Sequence, residues 1–197
     1  MTTITLEQFL NDVKNHQLTI HKNDGVYRHL TFANPDDCDK YFNITTFPNY
    51  LVITGDMGAL VFSRLHDMFN FFRSNDLKIN PGYWAEKIQS ASYQGGIESY
   101  SEFDLDEVKR LAQEYLDDFI NGNWLSGEDE YNLREELQSI LRAEDEYEIV
   151  EAIRNFDCNG FDFADFWEGD YRKYRSGYIW LCYAIVWGIK KFDEASI

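Results

Sequence analysis

The side chains able to do chemistry in this 197-residue chain are four histidines, three cysteines and 35 acids. His21 and His29 stand on either side of an Asn23-Asp24-Gly25 turn signal, which puts them on the two arms of one hairpin. Cross-strand imidazoles can share a transition metal. No third ligand accompanies them, so packed or exposed strand histidines are the plainer reading, as for His16 and His66. In "DCNGFDFADFWE", Asp157, Asn159 and Glu168 match positions 1, 3 and 12 of a calcium loop. Gly160 falls two positions before the required glycine, however, and Phe161 stands where an oxygen ligand belongs. The segment reads better as a helix end at Gly160 followed by a cap at Asp162. Cys38, Cys158 and Cys182 are odd in number and widely spaced, which argues against a zinc site or a disulfide framework. Acidic neighbours would raise the Cys158 thiol pKa and work against a nucleophilic role.

"LVITGDMGALVFSR" looks at first like a phosphate cradle. Such loops lie between a strand and a helix, so that helix amides face the anion. Here Gly55-Asp56-Met57-Gly58 separates two β-branched and aromatic runs, which predicts a hairpin turn. There is no GK[ST], GxGxxG, serine elbow, catalytic Cys–His spacing or kinase signature. No catalytic residue, cofactor or metal site is predicted.

The elements around these residues follow from local chemistry. Thr5 and Gln8 form a capping box ahead of Leu6, Phe9, Leu10 and Val13. Alternation around Asn23-Asp24-Gly25 gives two strands, "KYFNITTF" a third ended by Pro48, and "NYLVITG" and "ALVFSR" two more. Helical spacing then joins Leu65, Met68, Phe69 and Phe72. Asn80 and Pro81 open a helix over "NPGYWAEKIQSA". "SYQGGIESYSEFD", with Gly95-Gly96 at its centre, reads as a boundary. Beyond it, Leu105, Val108, Leu111, Tyr115 and Phe119 form one stripe. "DEYNLREELQSILRA" and "EYEIVEAIRNF" carry shorter ones, and "DFADFWE" reads as a short helix. "RSGYIWLCYAIVWGIKKF" is apolar nearly all round, as a central helix should be. The tryptophans, Trp124 among them, read mostly as core. Strands first and helices after predict an α+β protein with an antiparallel sheet of about five strands. The expected division is residues 1–97 as the sheet region and 98–197 as an acidic helical region with a buried C-terminal helix.

The net charge is −17. Residues 1–97 carry 10 acids and 8 Lys or Arg, residues 98–170 carry 23 and 5, and residues 171–197 carry 2 and 5. All the excess therefore lies in the middle segment. Acids at i, i+3 and i+4 repel one another by tenths of a kcal/mol per pair. A surface shaped only for solubility mixes its signs. A one-sign surface repels nucleic acid and anionic membranes and attracts basic partners. The uncharged, apolar stretch from Ser176 to Ile189 has 14 residues, short of the roughly 20 that span a bilayer. With no secretion signal read at the N-terminus, a cytoplasmic setting is expected.

"LEQFLNDVKNHQLTIHKNDGVYRHLTF", "GDMGALVFSRLHDMFNFFR", "INPGYWAEKI" and "FDFADFWEGDYRKYRSGYIWLCYAIVWGIKKFD" resemble small accessory proteins encoded by tailed bacteriophages and prophages. The likeness spans most of both halves and is least over residues 98 to 160. It implies an origin, and it brings no catalytic residues with it. Small acidic phage proteins often inhibit host defence, some by resembling nucleic acid in charge. The expectation is a non-enzymatic inhibitor of anti-CRISPR or anti-restriction type in the host cytoplasm. It would bind a basic nucleic-acid-binding groove on a host protein, without contacting nucleic acid or membrane. Asp117, Asp118, Glu128, Asp129, Glu130, Glu135, Glu136, Glu144, Asp145, Glu146 and Glu148 are the expected contacts. The alternative is a small-molecule or nucleotide module, or an enzyme, using a cleft near His21, His29 and Asp56.

Overall fold

A computed structural model describes residues 4–92 and 96–196. The predicted boundary at Gly95-Gly96 is therefore only half described, with Gly95 outside these residues. The chain divides into two compact units: residues 1–101 with 174–197, and residues 102–173.

The first unit is an antiparallel meander of six strands. These are β1 (Gln17–Asp24), β2 (Tyr27–Asn34), β3 (Asp37–Phe47), β4 (Tyr50–Gly55), β5 (Gly58–Ser63) and β6 (Ile88–Ala91), side by side in sequence order. The α+β expectation holds, with one strand more than foreseen. The turns form where the sequence places them. Asp24 pairs with Tyr27 across Gly25, whose φ is +58°. Gly55 pairs with Gly58 across Asp56-Met57. A Cβ at Gly55 would lie 2.2 Å from the Tyr41 carbonyl oxygen, so only glycine fits between β3 and β4. Alternate residues Leu30, Phe32, Phe42, Ile44, Leu51, Ile53, Leu60 and Phe62 are buried on one face, as the period-2 pleat requires.

The helices of this unit are α1 (Leu6–Asp12), α2 (Met68–Phe72), α3 (Pro81–Ala85) and α7 (Ser176–Ala195). Both halves of the Thr5–Gln8 capping box are formed. Helix α2 is shorter than predicted, because Asp67 caps it at the Phe69 amide and leaves Leu65 outside and exposed. Asn80 caps α3, but the chain turns into β6 after Lys87. Helix α7 belongs with the sheet and not with the acidic region, which corrects the expected division at residue 98. Its all-round apolar surface needs a broad apolar partner, and the sheet supplies one. At Gly188 an added Cβ would sit 2.8 Å from Ile44 Cδ1 and 3.1 Å from Phe32, so the helix backbone lies close to the strands.

Ion pairs, among them Arg28–Asp67 and Lys40–Asp12, tie the periphery of this core. Arg28 donates twice to Asp67, at 2.9 and 3.0 Å, while its guanidinium lies 4.3 Å from the Phe69 ring centre. Burial alone would raise the Asp67 pKa, but the Arg28 guanidinium and the Phe69 amide outweigh it and hold the carboxyl below its ordinary value. Asp12 accepts from the Trp180 indole at 3.0 Å and from Lys40 at 2.7 Å.

The second unit contains α4 (Leu105–Gly122), α5 (Gly127–Arg142) and α6 (Glu146–Arg154), then an irregular stretch to Tyr171. The chain crosses between units on β7 (Ser101–Phe103) and β8 (Arg172–Tyr174), which pair as a two-stranded sheet. The core of this unit is separate. It contains Val108, Ala112, Leu116, Leu133, Leu137, Ile140, Ile149 and Ile153 with Phe156, Phe161, Phe163 and Phe166. The buried face of α4 thus runs through Ala112 and Leu116, and the predicted Tyr115 is 41% exposed. Helix α6 ends at Arg154, well before Gly160. Gly160, at φ +79°, lies in a tight turn closed by the Cys158–Phe161 bridge. Asp162 stabilises its own turn by accepting from the Ala164 amide, and Phe166–Glu168 is a 3-10 turn. Trp124, expected to be core, is fully exposed.

Candidate functional site

Divided along these structural lines, the charge remains strongly segregated. Residues 102–173 carry 22 acids against 7 Lys or Arg, a net of −15, and the rest of the chain carries −2. The acidic unit thus holds most of the charge of the chain.

Its carboxylates fall into two sets. The first is committed to the fold. Asp104 caps α4 at the Glu107 amide and pairs with Lys173 at 2.9 Å. Burial would raise its pKa, but the Lys173 ammonium and the Glu107 amide hold it below the ordinary range. Arg110 gathers Glu107 and Glu114. Arg134 ties Asp117 of α4, at 2.7 Å, to Glu130 of its own helix, at 3.0 Å. Ser126 caps α5 and also donates to Asp129. Asp145 accepts from the Glu148 amide while the Glu148 carboxylate accepts from the Glu144 amide, a reciprocal cap on α6. Each such cap stabilises its helix by about 1 kcal/mol. Five of the eleven predicted contacts, Asp117, Asp129, Glu130, Asp145 and Glu148, therefore already have structural partners.

The other six are different. Asp118, Glu128, Glu135, Glu136, Glu144 and Glu146 are exposed, and their carboxylates have no hydrogen-bond or ion-pair partner among the described residues. Glu128, Tyr131 and Glu135 follow one another at i, i+3 and i+7 on α5, opposite the buried Leu133, Leu137 and Ile140. Tyr131 is 63% exposed and Tyr147, on the outer side of α6, 75%. With Trp124 they place three solvent-facing aromatics among the free carboxylates. Sequence reasoning missed this because it assigned aromatics to core stripes. The available signal was their company: Tyr131 and Tyr147 each directly follow a glutamate, Glu130 and Glu146.

The other predicted chemistry is dispersed. His21 and His29 do meet, with ring centres 4.9 Å apart. His21 Nε2 lies 2.9 Å from Thr31 Oγ1, whose hydroxyl donates to Asn43 Oδ1. His29 Nδ1 lies 2.9 Å from Thr45 Oγ1. Among the described residues no group of three or more His, Cys, Asp or Glu is placed to hold a metal. Asp56 does not join them. His29 is level with Thr45 and Val52 across the sheet, and Asp56 lies four residues beyond Val52. At about 3.3 Å per residue along a strand and about 4.8 Å between strands, the separation is roughly 16 Å. The Cys158 thiol is pushed up by burial first and then by Glu136, Asp157 and Asp129. Cys182 is buried and Cys38 exposed. Among the described residues no helix is long and apolar enough to cross a membrane.

Comparison with protein-family models, with curated proteins and with solved structures finds no match for this chain. The candidate site therefore rests on its own geometry and charge.

Proposed function

We propose that the chain is a phage-encoded, non-enzymatic inhibitor that occupies a basic nucleic-acid-binding groove on a host protein, as anti-CRISPR and anti-restriction proteins do. The phage origin rests on the resemblance of the four segments quoted above. The binding mode rests on one observation: six of the expected contact carboxylates, exposed and without a partner among the described residues, are interleaved with Trp124, Tyr131 and Tyr147 on a unit of net charge −15.

The two halves of that observation support different parts of the reading. Unpaired carboxylates on helices, or beside one as at Glu144, project a long-range field that draws in cationic surfaces and speeds encounter. Exposed tyrosine and tryptophan point to a protein partner, because these side chains supply most of the affinity at protein interfaces. A surface serving only solvation has no use for them. The same field repels nucleic acid itself. Inhibition is by occlusion, without turnover, in the host cytoplasm, and requires no cofactor.

The test is a pull-down from bacterial lysate at low and high salt, with the quadruple variant E128K/E135K/E144K/E146K alongside. All four side chains lie on exposed faces, so circular dichroism should be unchanged. Capture of nucleic-acid-handling proteins, released by salt and weakened at least 100-fold by the variant, is the expected result. Equal capture by the variant would refute the reading.

A further inference from the structure

The acidic unit also contains a cleft that the predicted contacts only touch. Its inner wall is Leu111, Tyr115 and Phe119 of α4, and its outer wall comes from residues 160–171, including Phe161, Phe166 and Tyr171. It has two lobes of about 350 and 400 Å³ that share Tyr115 and Asp118. The Tyr115 ring stacks on Phe163, with centres 5.9 Å apart and planes 24° apart, and meets the edge of Phe166 at 6.0 Å. One side of the ring is thus supported from below while 41% of the residue stays exposed. The floor is fixed: the Tyr171 hydroxyl donates to the Phe166 carbonyl, and a Cβ at Gly169 would meet the Tyr171 ring at 2.9 Å.

The lips are carboxylates. Glu114 is held by Arg110, which leaves Asp118 on one side and Asp162 and Asp165 on the other. Asp162 is oriented by the Ala164 amide. Among the described residues no Lys or Arg lines either lobe. An anion would be repelled here, and a purely apolar ligand would strip water from carboxylates and offer nothing in return. A lysine would bring its charge but no flat face. An arginine satisfies both features, because its planar, weakly hydrated guanidinium stacks on aromatic rings and donates in a fork to carboxylates.

We propose that this cleft takes one arginine side chain of the partner, stacked on Tyr115 and bonded by Asp118 and Asp162. The inference rests on the acidic-surface reading and adds an anchor point to it. The long-range field gathers the partner, and the cleft fixes one residue of it.

The test is an amide-resolved NMR titration of the full chain with N-acetyl-arginine amide and, separately, N-acetyl-lysine amide. Arginine should shift Tyr115, Asp118, Gly160 and Asp162 and bind at least fivefold more tightly than lysine. D118N/D162N should weaken arginine at least fivefold, since asparagine preserves the turn at 162 but not the charge. E144Q/E146Q, which removes the same charge elsewhere, should stay within twofold. Equal weakening by the two variants, or equal binding of the two amino acids, overturns the cleft and leaves the field intact. Failure of the acidic-surface reading shows separately, as salt-independent capture in the pull-down.

Discussion

The two units solve the same problem, burying a helix-bearing core, with opposite surfaces. The sheet unit is nearly neutral at −2, and its notable charges face one another: Arg28 with Asp67, and Lys40 with Asp12. The helical unit carries −15 and uses its few bases as ties, with Arg110 and Arg134 each gathering two carboxylates. In the first, charge serves the fold. In the second, the fold tolerates charge it does not need. That difference argues for function in the helical unit, because self-repulsion without return would be a liability.

The comparison is open to test, and the largest effect expected is on the cores. If they are as separate as their residue sets imply, Trp180→Ala should destabilise the sheet unit by about 4 kcal/mol, through lost packing and the lost bond to Asp12. Leu137→Ala should cost the helical unit about 3 kcal/mol. Calorimetry should show each substitution lowering its own transition. A single transition shifted equally by both would break the distinction.

Next in size is Asp67→Ala, expected to cost about 2–3 kcal/mol, because it strands a largely buried guanidinium and removes the α2 cap. Asp67 is held below its ordinary pKa, so its contribution is complete above the unfolded value near 4 and is lost as pH falls through the folded value. Wild type should therefore lose stability below about pH 4 more steeply than Asp67→Asn does, as urea titrations across that range would reveal. Parallel slopes would contradict the role assigned to the pair.

A smaller effect separates the surfaces. Screening by 0.5 M sodium chloride should stabilise the helical unit by about 1 kcal/mol and leave the sheet unit nearly unchanged. A comparable rise in both transitions would mean the segregated charge carries little energy. The least costly check is thiol reactivity. Cys38 should react first with a disulfide reagent, Cys158 slowly, because burial and Glu136 raise its pKa, and Cys182 only on unfolding.

What the sequence revealed, and what it hid, follows the range of the interactions. Asn23-Asp24-Gly25, Gly55–Gly58, the Thr5–Gln8 box and the Asn80-Pro81 start were legible because neighbours in sequence supply the whole reason for them. Strand β6 was not, because no turn residue separates Ala85 from Ile88, and only pairing with β5 makes Ile88–Ala91 a strand. Position 115 shows a subtler limit. Its helical spacing from Leu111 and Phe119 is correct, yet Ala112 and Leu116 take the core, and a smaller residue in a stripe carries little hydrophobic signal. The acidic segment was plain as composition. Which acids hold the fold and which are idle depended on Arg110, Arg134 and the helix caps, and so on tertiary geometry.

The helical unit leaves its host after Ser101 and returns at Tyr174, on two paired strands. A module whose ends emerge side by side is a cassette: recombination can exchange it, or shorten it to a tight hairpin, without changing the register of any strand in the meander. The charged portion could thus be replaced wholesale while the frame stays the same.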